Sequence, residues 1–323
     1  MRKYAARRLV LGLFTLLLMS LIIFGALRIL PGDVAQFVLG GTGGGDSAGR
    51  TMTQIGVDVI RKELGLDRPL HIQYLNWIWD IVRGDLGKSL FTQQPVMEAL
   101  LYRLPLTAQL ALMSVVLGLL IGIPMGIFSA LKHNSWLDHT LRFWSVFFLA
   151  APTFWLGLMF LMGTIRFFEW GPPMGYNFIW SNPKDNLLQL GWPALIIASH
   201  FMAIVSRMTR STMLEVLRED YIRTARSKGL SETVVIIRHA LKNTLIPVLT
   251  ITGNSLGGLL GGTVIMEQVF NVPGVGTYFL QALNLRDYTV IQGVVIMIAT
   301  FFILINLTVD LIYGWLDPRI SYS

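Results

Sequence analysis

The stretch DYIRTARSKGLSETVVIIRHALKNTLIP, residues 220–247, is a long charged segment between two strongly apolar ones. Four of its residues recur at the spacing of one helix face: Tyr221, Thr224, Ala225 and Lys228. Gly229 follows and suits a left-handed helix C-terminus, and Glu232 places a negative charge at the start of a further helix. The pattern predicts helix, tight glycine turn and helix outside the membrane. We expect the small residues Ala225 and Gly229 to be exposed, so that another protein can dock closely on this segment.

The composition is that of a membrane protein. Of the 323 residues, 53% are hydrophobic and 14% are charged, whereas soluble domains carry about 25% charged residues. The mean hydropathy is +0.58, and several apolar runs approach the length of a membrane span. The net charge of +7 comes from basic residues before the first apolar run and in the 220–247 stretch. That distribution favours positive-inside membrane orientation over nucleic-acid binding.

Apolar runs predict an all-α polytopic protein with six transmembrane helices and both termini in the cytoplasm. The predicted spans lie at about 9–30, 104–131, 141–165, 187–205, 244–266 and 288–313. We divide the chain into three parts: an N-terminal helix (1–30), an extracytoplasmic subdomain (31–103) and a five-helix core (104–323). The core includes a cytoplasmic docking loop at 207–243. No internal repeat is visible, and the chain has no cysteine, which excludes disulfides and thiolate metal sites.

The predicted extracytoplasmic subdomain contains a glycine-rich run and an amphipathic helix. The run GGTGGGDSAG (40–49) lacks the lysine and Ser/Thr of a phosphate-binding loop, so it is interpreted as a flexible loop. Residues 71–82 have helical periodicity, and their aromatic side chains Tyr74, Trp77 and Trp79 are expected to anchor the helix near the bilayer surface.

A row of small residues marks the fifth predicted span. Gly253, Gly257 and Gly261 share one stripe, which permits either close helix packing or the lining of a pathway, and we favour packing. Candidate pathway residues here are Asn254, Gly257, Gly258 and Gly261. In the fourth span, His200 is expected to be hydrogen-bonded inside the bundle.

The motifs exclude several kinds of chemistry. The histidines and carboxylates form no zinc-like, Ser/His/Asp or paired-carboxylate pattern, so no metal site and no catalytic residues are predicted. Ionisable residues are nearly absent from the middle of the spans, which suggests that energy for transport enters from outside the chain. An ion-coupled secondary transporter is the main alternative, and a membrane-embedded enzyme or a scaffold protein are further ones.

Several sequence pieces resemble the transmembrane permease subunits of bacterial ABC importers of the dipeptide/oligopeptide/nickel type. The loop RTARSKGLS (223–231) is similar to the EAA loop by which such permeases dock on their ATPases, and HALKNTLIPV (239–248) continues it. Arg223 stands where many importers have a glutamate, and the proline comes only at Pro247. Further matching pieces, in chain order, are IRKELGLDRPLHIQYLNWI, GDLGKSL, RLPLTAQLAL, GGTVIMEQVFNVPGVG and DPRI.

The resemblance implies a type I ABC importer permease fold in the bacterial inner membrane. It implies no enzymatic activity and no cofactor in this chain, with ATP and Mg bound by two partner ATPases. It also implies a second homologous permease subunit, an extracytoplasmic solute-binding protein and contact with membrane lipid. The implied ATPase-docking residues are Asp220, Tyr221, Arg223, Thr224, Ala225, Lys228 and Gly229. Peptides are the default substrate, with nickel, glutathione and sugars left open.

Overall fold

The computed structural model describes residues 2–29, 67–172 and 175–316. In these residues the chain is helical, with one isolated bridge between Lys88 and Pro95. The helices are α1 (Arg2–Ile29), α2 (Leu70–Val82), α3 (Val96–Leu131), α4 (Trp136–Ala150), α5 (Thr153–Phe168), α6 (Pro183–Val216), α7 (Asp220–Ser227), α8 (Glu232–Val234, continuing as a π-helical turn to Ala240), α9 (Leu241–Val269), α10 (Val275–Leu285) and α11 (Tyr288–Leu316). The glycine-rich run at 40–49 and the DPRI piece lie outside the described residues.

Among the described residues, five helices are long and apolar enough to cross a membrane. They are Arg7–Ile29, Val96–Leu131, Pro183–Val216, Glu232–Gly253 and Tyr288–Thr308. The bent pair Trp136–Ala150 and Thr153–Phe168 makes a sixth crossing if it is counted as one span. The predicted all-α polytopic fold is confirmed, and several helices extend beyond the predicted spans.

The third predicted span is not one helix. The chain ends α4 at Ala150 and begins α5 at Thr153, with an angle of 103° between the two helices. Ala151 has φ −76° and ψ 126°, an extended conformation that a residue before proline favours because the pyrrolidine ring crowds the helical one. Pro152 also lacks the N–H that would continue the helix. The third predicted span is therefore a bent pair of helices, which makes one crossing if the pair is a broken span.

The chain divides into two compact units. One unit contains residues 1–103 and 278–323, and the other contains residues 104–277. In the first unit, α1 contacts α11, since a Cβ at Gly12 would lie 2.7 Å from the Ile303 side chain. Asp287 is buried there, and it accepts hydrogen bonds from Ser89 Oγ (2.6 Å) and Leu90 N (3.1 Å).

Helix α2 packs against α1 through aromatic side chains. The Phe24 ring lies 5.4 Å from Tyr74 and 5.9 Å from Trp77, centroid to centroid, and the Ser20 and Tyr74 hydroxyls are 2.8 Å apart. Trp79 is 57% exposed. The predicted helix at 71–82 is confirmed. Two of its three expected surface anchors, however, contact α1, and Trp79 alone keeps a largely exposed ring.

In the second unit, glycines on α3 permit close contact with α6. Gly118, Gly122 and Gly126 repeat every four residues, so they lie on one helix face. A Cβ at Gly122 would lie 2.7 Å from the Met202 carbonyl oxygen, and one at Gly126 would lie 2.6 Å from the Ser206 carbonyl oxygen. This row brings two backbones together in the manner of small-residue membrane helix crossings. The sequence analysis did not single it out.

Candidate functional site

The 220–247 stretch forms the predicted helix, turn and helix. Gly229 has φ +79°, the left-handed conformation that glycine adopts without steric strain. Arg226 closes the turn, since its Nη2 and Nε lie 2.7 and 3.1 Å from the two Glu232 carboxylate oxygens. The hydrogen bond to Glu232 raises the pKa of Arg226. Both side chains are substantially exposed, so this ion pair fixes the geometry of the turn more than it stabilises the fold.

One face of α7 is buried within the chain itself. Ile222 is 0% exposed and Ala225 is 6% exposed. They pack in a cluster that we call the α7 seat, whose other buried members are Ala130, Met213, Val216, Val235 and Ala240. The expected exposure of Ala225 is therefore wrong. A short helix outside the membrane is stable only when it buries an apolar face, and Ala225 shares that face with Ile222.

The other face of α7 is exposed. Six of the seven predicted docking residues lie on it or on the adjacent turn: Asp220, Tyr221, Arg223, Thr224, Lys228 and Gly229. Tyr221 is held in place because the Asn243 side-chain amide donates a hydrogen bond of 2.7 Å to its hydroxyl. The arrangement is a rigidly seated helix that presents polar, aromatic and basic groups to solvent.

A buried carboxylate connects three elements close to this seat. Asp138 in α4 is 0% exposed, and Arg210 in α6 contacts it twice, with Nε–Oδ1 and Nη2–Oδ2 distances of 2.8 Å. Ser129 Oγ in α3 donates at 2.5 Å, and Asn134 N, in the turn, donates at 3.0 Å. Ser129 precedes Ala130 of the α7 seat, so this network joins the support of α7 to the start of α4. The sequence analysis missed it, because the two charges lie 72 residues apart.

A second buried carboxylate holds the loop after α9. Glu267 is 0% exposed and accepts hydrogen bonds from Thr107 Oγ1 (2.7 Å) and Thr277 N (3.0 Å). Thr107 in turn accepts from Val275 N (2.9 Å). Tyr176 donates to the Phe270 carbonyl at 2.7 Å. These bonds fix the NVPGVG loop, and the sequence analysis found Glu267 only as part of a matching piece.

A cavity of about 460 Å³ lies at the break between α4 and α5. It is lined by Leu149, Ala150, Ala151, Pro152, Thr153, Ile197, His200, Phe201, Ile204, Ser255, Gly258 and Gly262. Gly258, a predicted pathway residue, lies here, whereas the surroundings of Asn254, Gly257 and Gly261 are outside what the structure describes. In the described residues, His200 has no hydrogen-bond partner, so its expected internal hydrogen bond is not found.

In the part of the chain that the structure describes, no group of three or more metal-ligating side chains is close enough to hold an ion. Asp138 and Glu267 are surrounded by hydrogen-bond donors from their own chain, which is the environment of structural carboxylates. The described residues therefore form a membrane protein in which α7 exposes one polar face and a partly open cavity lies beside the break between α4 and α5.

Comparison with known proteins agrees with this geometry. The family described as "Binding-protein-dependent transport system inner membrane component" matches residues 122–322, and the corresponding N-terminal family matches residues 1–111. The chain belongs to this family, and the permease resemblance seen in the sequence is confirmed. It is a multi-pass inner-membrane subunit of an ABC importer.

Curated relatives match over their whole length. The chain is 38% identical to "Dipeptide transport system permease protein DppB" of Alkalihalophilus pseudofirmus, with 100% of each chain covered. It is 36% identical to the Escherichia coli (strain K12) protein of the same name, again over 100% of both. Among solved structures, an inward-facing MetNI methionine ABC transporter shares the fold, with a TM-score of 0.57 and 18% identity over 69% of this chain and 99% of that one.

Proposed function

We propose that this permease subunit imports short peptides, and that its α7 face docks on a cytoplasmic ATPase. The observation that carries the docking proposal is a helix with one face seated in its own chain and the opposite face exposed. The peptide assignment is supported by relatives at 36–38% identity that are named dipeptide permeases. ATP and Mg would bind to two partner ATPases, and the N- and C-termini would lie in the cytoplasm with α7.

The proposed assembly contains three further kinds of protein subunit. A second homologous permease would complete a pseudo-symmetric pair, and a solute-binding protein would deliver peptide to the outer face. In this assembly, closure of the ATPases moves α7. The α7 seat passes that movement to α3 and α6, because Ala130 and Met213 belong to these helices and pack in the same cluster as Ile222. The proposed translocation pathway includes Asn254, Gly257, Gly258 and Gly261.

The ion-coupled alternative is less favoured. A proton or sodium relay needs acidic or histidine side chains that exchange ions at mid-depth. In the described residues, buried Asp138, Glu267 and Asp287 lie close to helix ends, and each accepts hydrogen bonds from neighbouring side chains or N–H groups. These carboxylates are occupied by structural contacts. Among the described residues, His200 is left as a candidate for such a relay, since it lies within α6 and has no hydrogen-bond partner.

The test is steric blocking of the exposed face with a Thr224→Trp variant. Thr224 is exposed, and its hydroxyl bonds only the Asp220 carbonyl of its own helix. Thr308→Trp is the matched control, since Thr308 is also exposed and bonds the Leu304 carbonyl in the same way. Tagged chains are purified from native membranes and the eluates are assayed for co-purified ATPase, while uptake of labelled dialanine is measured in intact cells that carry each variant.

We expect Thr224→Trp to lose most of its bound ATPase and its uptake, because an indole at a closely packed interface prevents the approach of the partner. Thr308→Trp should retain both. Normal ATPase recovery with Thr224→Trp would refute docking on α7. A wild-type complex that contains ATPases but imports no dialanine would refute the peptide assignment alone.

A further inference from the structure

Two helix faces and a helix break enclose the cavity beside α4 and α5. From α6 come Ile197, His200, Phe201 and Ile204, at i, i+3, i+4 and i+7. From α9 come Ser255, Gly258 and Gly262, at i, i+3 and i+7. Each set therefore lies on one side of its helix. Two walls of the cavity are therefore helix faces. The cavity stays open at residues 150–153, because Pro152 separates α4 from α5.

Polar side chains without partners meet in this cavity. Several other helix hydroxyls in the second unit donate to carbonyls of their own helix, as Ser114, Ser145 and Thr252 do, although the buried Thr209 hydroxyl has no partner. The three polar side chains that line the cavity are Thr153, His200 and Ser255, and in the described residues none of them makes a hydrogen bond. Leaving polar groups unpartnered inside a membrane protein is unfavourable unless water or a polar ligand reaches them.

The lining matches a peptide main chain. It contains no Asp, Glu, Lys or Arg, so it offers no charge that would select one charged side chain. The hydroxyls and imidazole can donate to carbonyl oxygens and accept from N–H groups, which every peptide has. Ile197, Phe201 and Leu149 provide apolar walls that tolerate different side chains. A volume of about 460 Å³ falls in the lower part of the range of small-ligand pockets, roughly 300–1,000 Å³.

We infer that this cavity holds a short peptide during import, with His200, Thr153 and Ser255 hydrogen-bonding its main chain. The inference rests on the proposed function and makes it more specific. Gly258 and Gly262 admit the peptide, because among the described residues a Cβ at either position would meet no atom within 4 Å. These two glycines keep a volume open, whereas Gly122 permits close packing.

The first experiment fills the cavity in steps. The complete transporter is reconstituted in proteoliposomes with its binding protein and labelled dialanine on one side and ATP on the ATPase side. Gly258→Ala should reduce import less than Gly258→Phe and Gly262→Phe do, and the two Phe variants should lose roughly tenfold or more, since a benzyl group occupies the space of the ligand. Gly163→Phe is the matched control, because a Cβ at Gly163 also meets no atom within 4 Å and Gly163 does not line the cavity.

The second experiment tests the hydrogen bonds. His200→Leu replaces the imidazole with an apolar side chain of similar size. It should raise the apparent KM for dialanine about fivefold to tenfold, because that ratio corresponds to the free energy of one or two hydrogen bonds. His200→Gln restores a donor and an acceptor and should recover most of the uptake. In addition, a dipeptide carrying a benzophenone side chain should crosslink to residues 197–204 or 255–262 under turnover.

The outcomes distinguish failure of the cavity inference from failure of the proposed function. If wild type imports dialanine and Gly258→Phe imports it equally well, the cavity is not on the peptide's route and the inference fails. Equal KM values for wild type, His200→Leu and His200→Gln would exclude the hydrogen-bonding role. If the wild-type complex contains ATPases but imports no dialanine, the peptide assignment fails, and docking on α7 is judged by the Thr224→Trp result alone.

Discussion

The fold should be destabilised most when the buried Asp138 carboxylate loses its partner. It is fully buried, whereas the Arg210 side chain is 20% exposed. Removing Arg210 leaves a carboxylate charge in the interior, while removing the charge of Asp138 leaves a guanidinium that reaches water. Buried ion pairs contribute little net stability when intact, but the loss of one partner is expensive, because the remaining charge is desolvated without compensation.

We therefore predict an asymmetric effect of substitution in this pair. Arg210→Leu should lower the free energy of unfolding by about 3–5 kcal/mol. Asp138→Asn should lower it by about 1–3 kcal/mol, because the amide still accepts a hydrogen bond. Thermal unfolding of the purified chain in detergent gives the comparison. Arg142 is exposed and lies on the same helix as Asp138, so Arg142→Leu should change the free energy of unfolding by less than about 0.5 kcal/mol. Equal losses for the two pair variants would contradict this account.

Tyr176 should give the fold a measurable alkaline dependence. Burial raises the pKa of Tyr176 to about 12, whereas an unfolded tyrosine has a pKa of about 10. The folded state therefore holds the phenol proton more tightly than the unfolded state does. The resulting contribution to stability is fully present below pH 10, and it is lost as the pH rises from about 10 to 12, where the unfolded phenol ionises first.

The Tyr176→Phe variant tests this dependence. At pH 8 it should be about 1 kcal/mol less stable than wild type, because the Phe270 carbonyl loses its hydrogen bond. At pH 11 the difference should be smaller, since only the wild type is destabilised by ionisation of this phenol. Melting temperatures of both proteins at the two pH values give the answer. If the stability difference between wild type and Tyr176→Phe stays constant or grows with pH, Tyr176 is not a buried phenol that stays neutral in the folded state.

At the scale of helices, the α3 glycine row and the α9 pair Gly258 and Gly262 have opposite surroundings, although both sets repeat every four residues. Gly122→Val places a methyl-bearing Cβ against the Met202 carbonyl, and a backbone atom cannot rotate away. We expect a loss of about 1–3 kcal/mol or more from overpacking. Gly163→Val, where a Cβ meets no atom within 4 Å, is the control and should lose less than about 1 kcal/mol. Thermal unfolding of the two variants measures the difference, and equal stability would show that α3 and α6 can separate at little cost.

Local sequence patterns predicted the helices well, but they did not predict which helices pack against each other. Apolar runs and the turn glycine gave the long helices and the α7–α8 hairpin, because both depend on residues close in the chain. The burial of Ala225 depends on Met213 and Ala130, and the α3 glycine row depends on which helix lies opposite. The break at Pro152 could have been predicted from the restriction on the preceding residue, yet Pro124 and Pro193 remain inside continuous helices.

The candidate site was predictable to a similar extent. The exposed docking residues came from helix periodicity and from the family resemblance, and Gly258 came from the glycine row. The roles of Asp138 and Glu267 were not accessible, because the Arg210 and Thr107 side chains that donate hydrogen bonds to them lie 72 and 160 residues away in the chain. The cavity required the bend of 103°, which is a relation between two helices and not a property of either sequence.

For the whole molecule, the number of membrane crossings depends on α4 and α5. Helices of 15 and 16 residues extend about 22–24 Å each, shorter than a hydrocarbon core of about 30 Å. Neither helix can cross alone, so the pair either forms one broken span or returns to the side where it entered. A broken span gives six crossings and places α7 on the same side as the N-terminus. A returning pair gives five and places α7 on the opposite side.

The absence of cysteine makes this choice directly testable, because each single-cysteine variant contains one thiol. We choose the exposed positions Arg83, Lys184 and Lys228 and label whole cells with a membrane-impermeant maleimide. Six crossings predict that Arg83→Cys and Lys184→Cys react while Lys228→Cys reacts only after lysis. Five crossings predict that Arg83→Cys and Lys228→Cys react together. We expect the first pattern, because it keeps the basic 220–247 stretch in the cytoplasm, where positive residues beside spans accumulate and an ATPase can reach α7. The second pattern would place α7 beyond the reach of any cytoplasmic ATPase and would end the docking proposal.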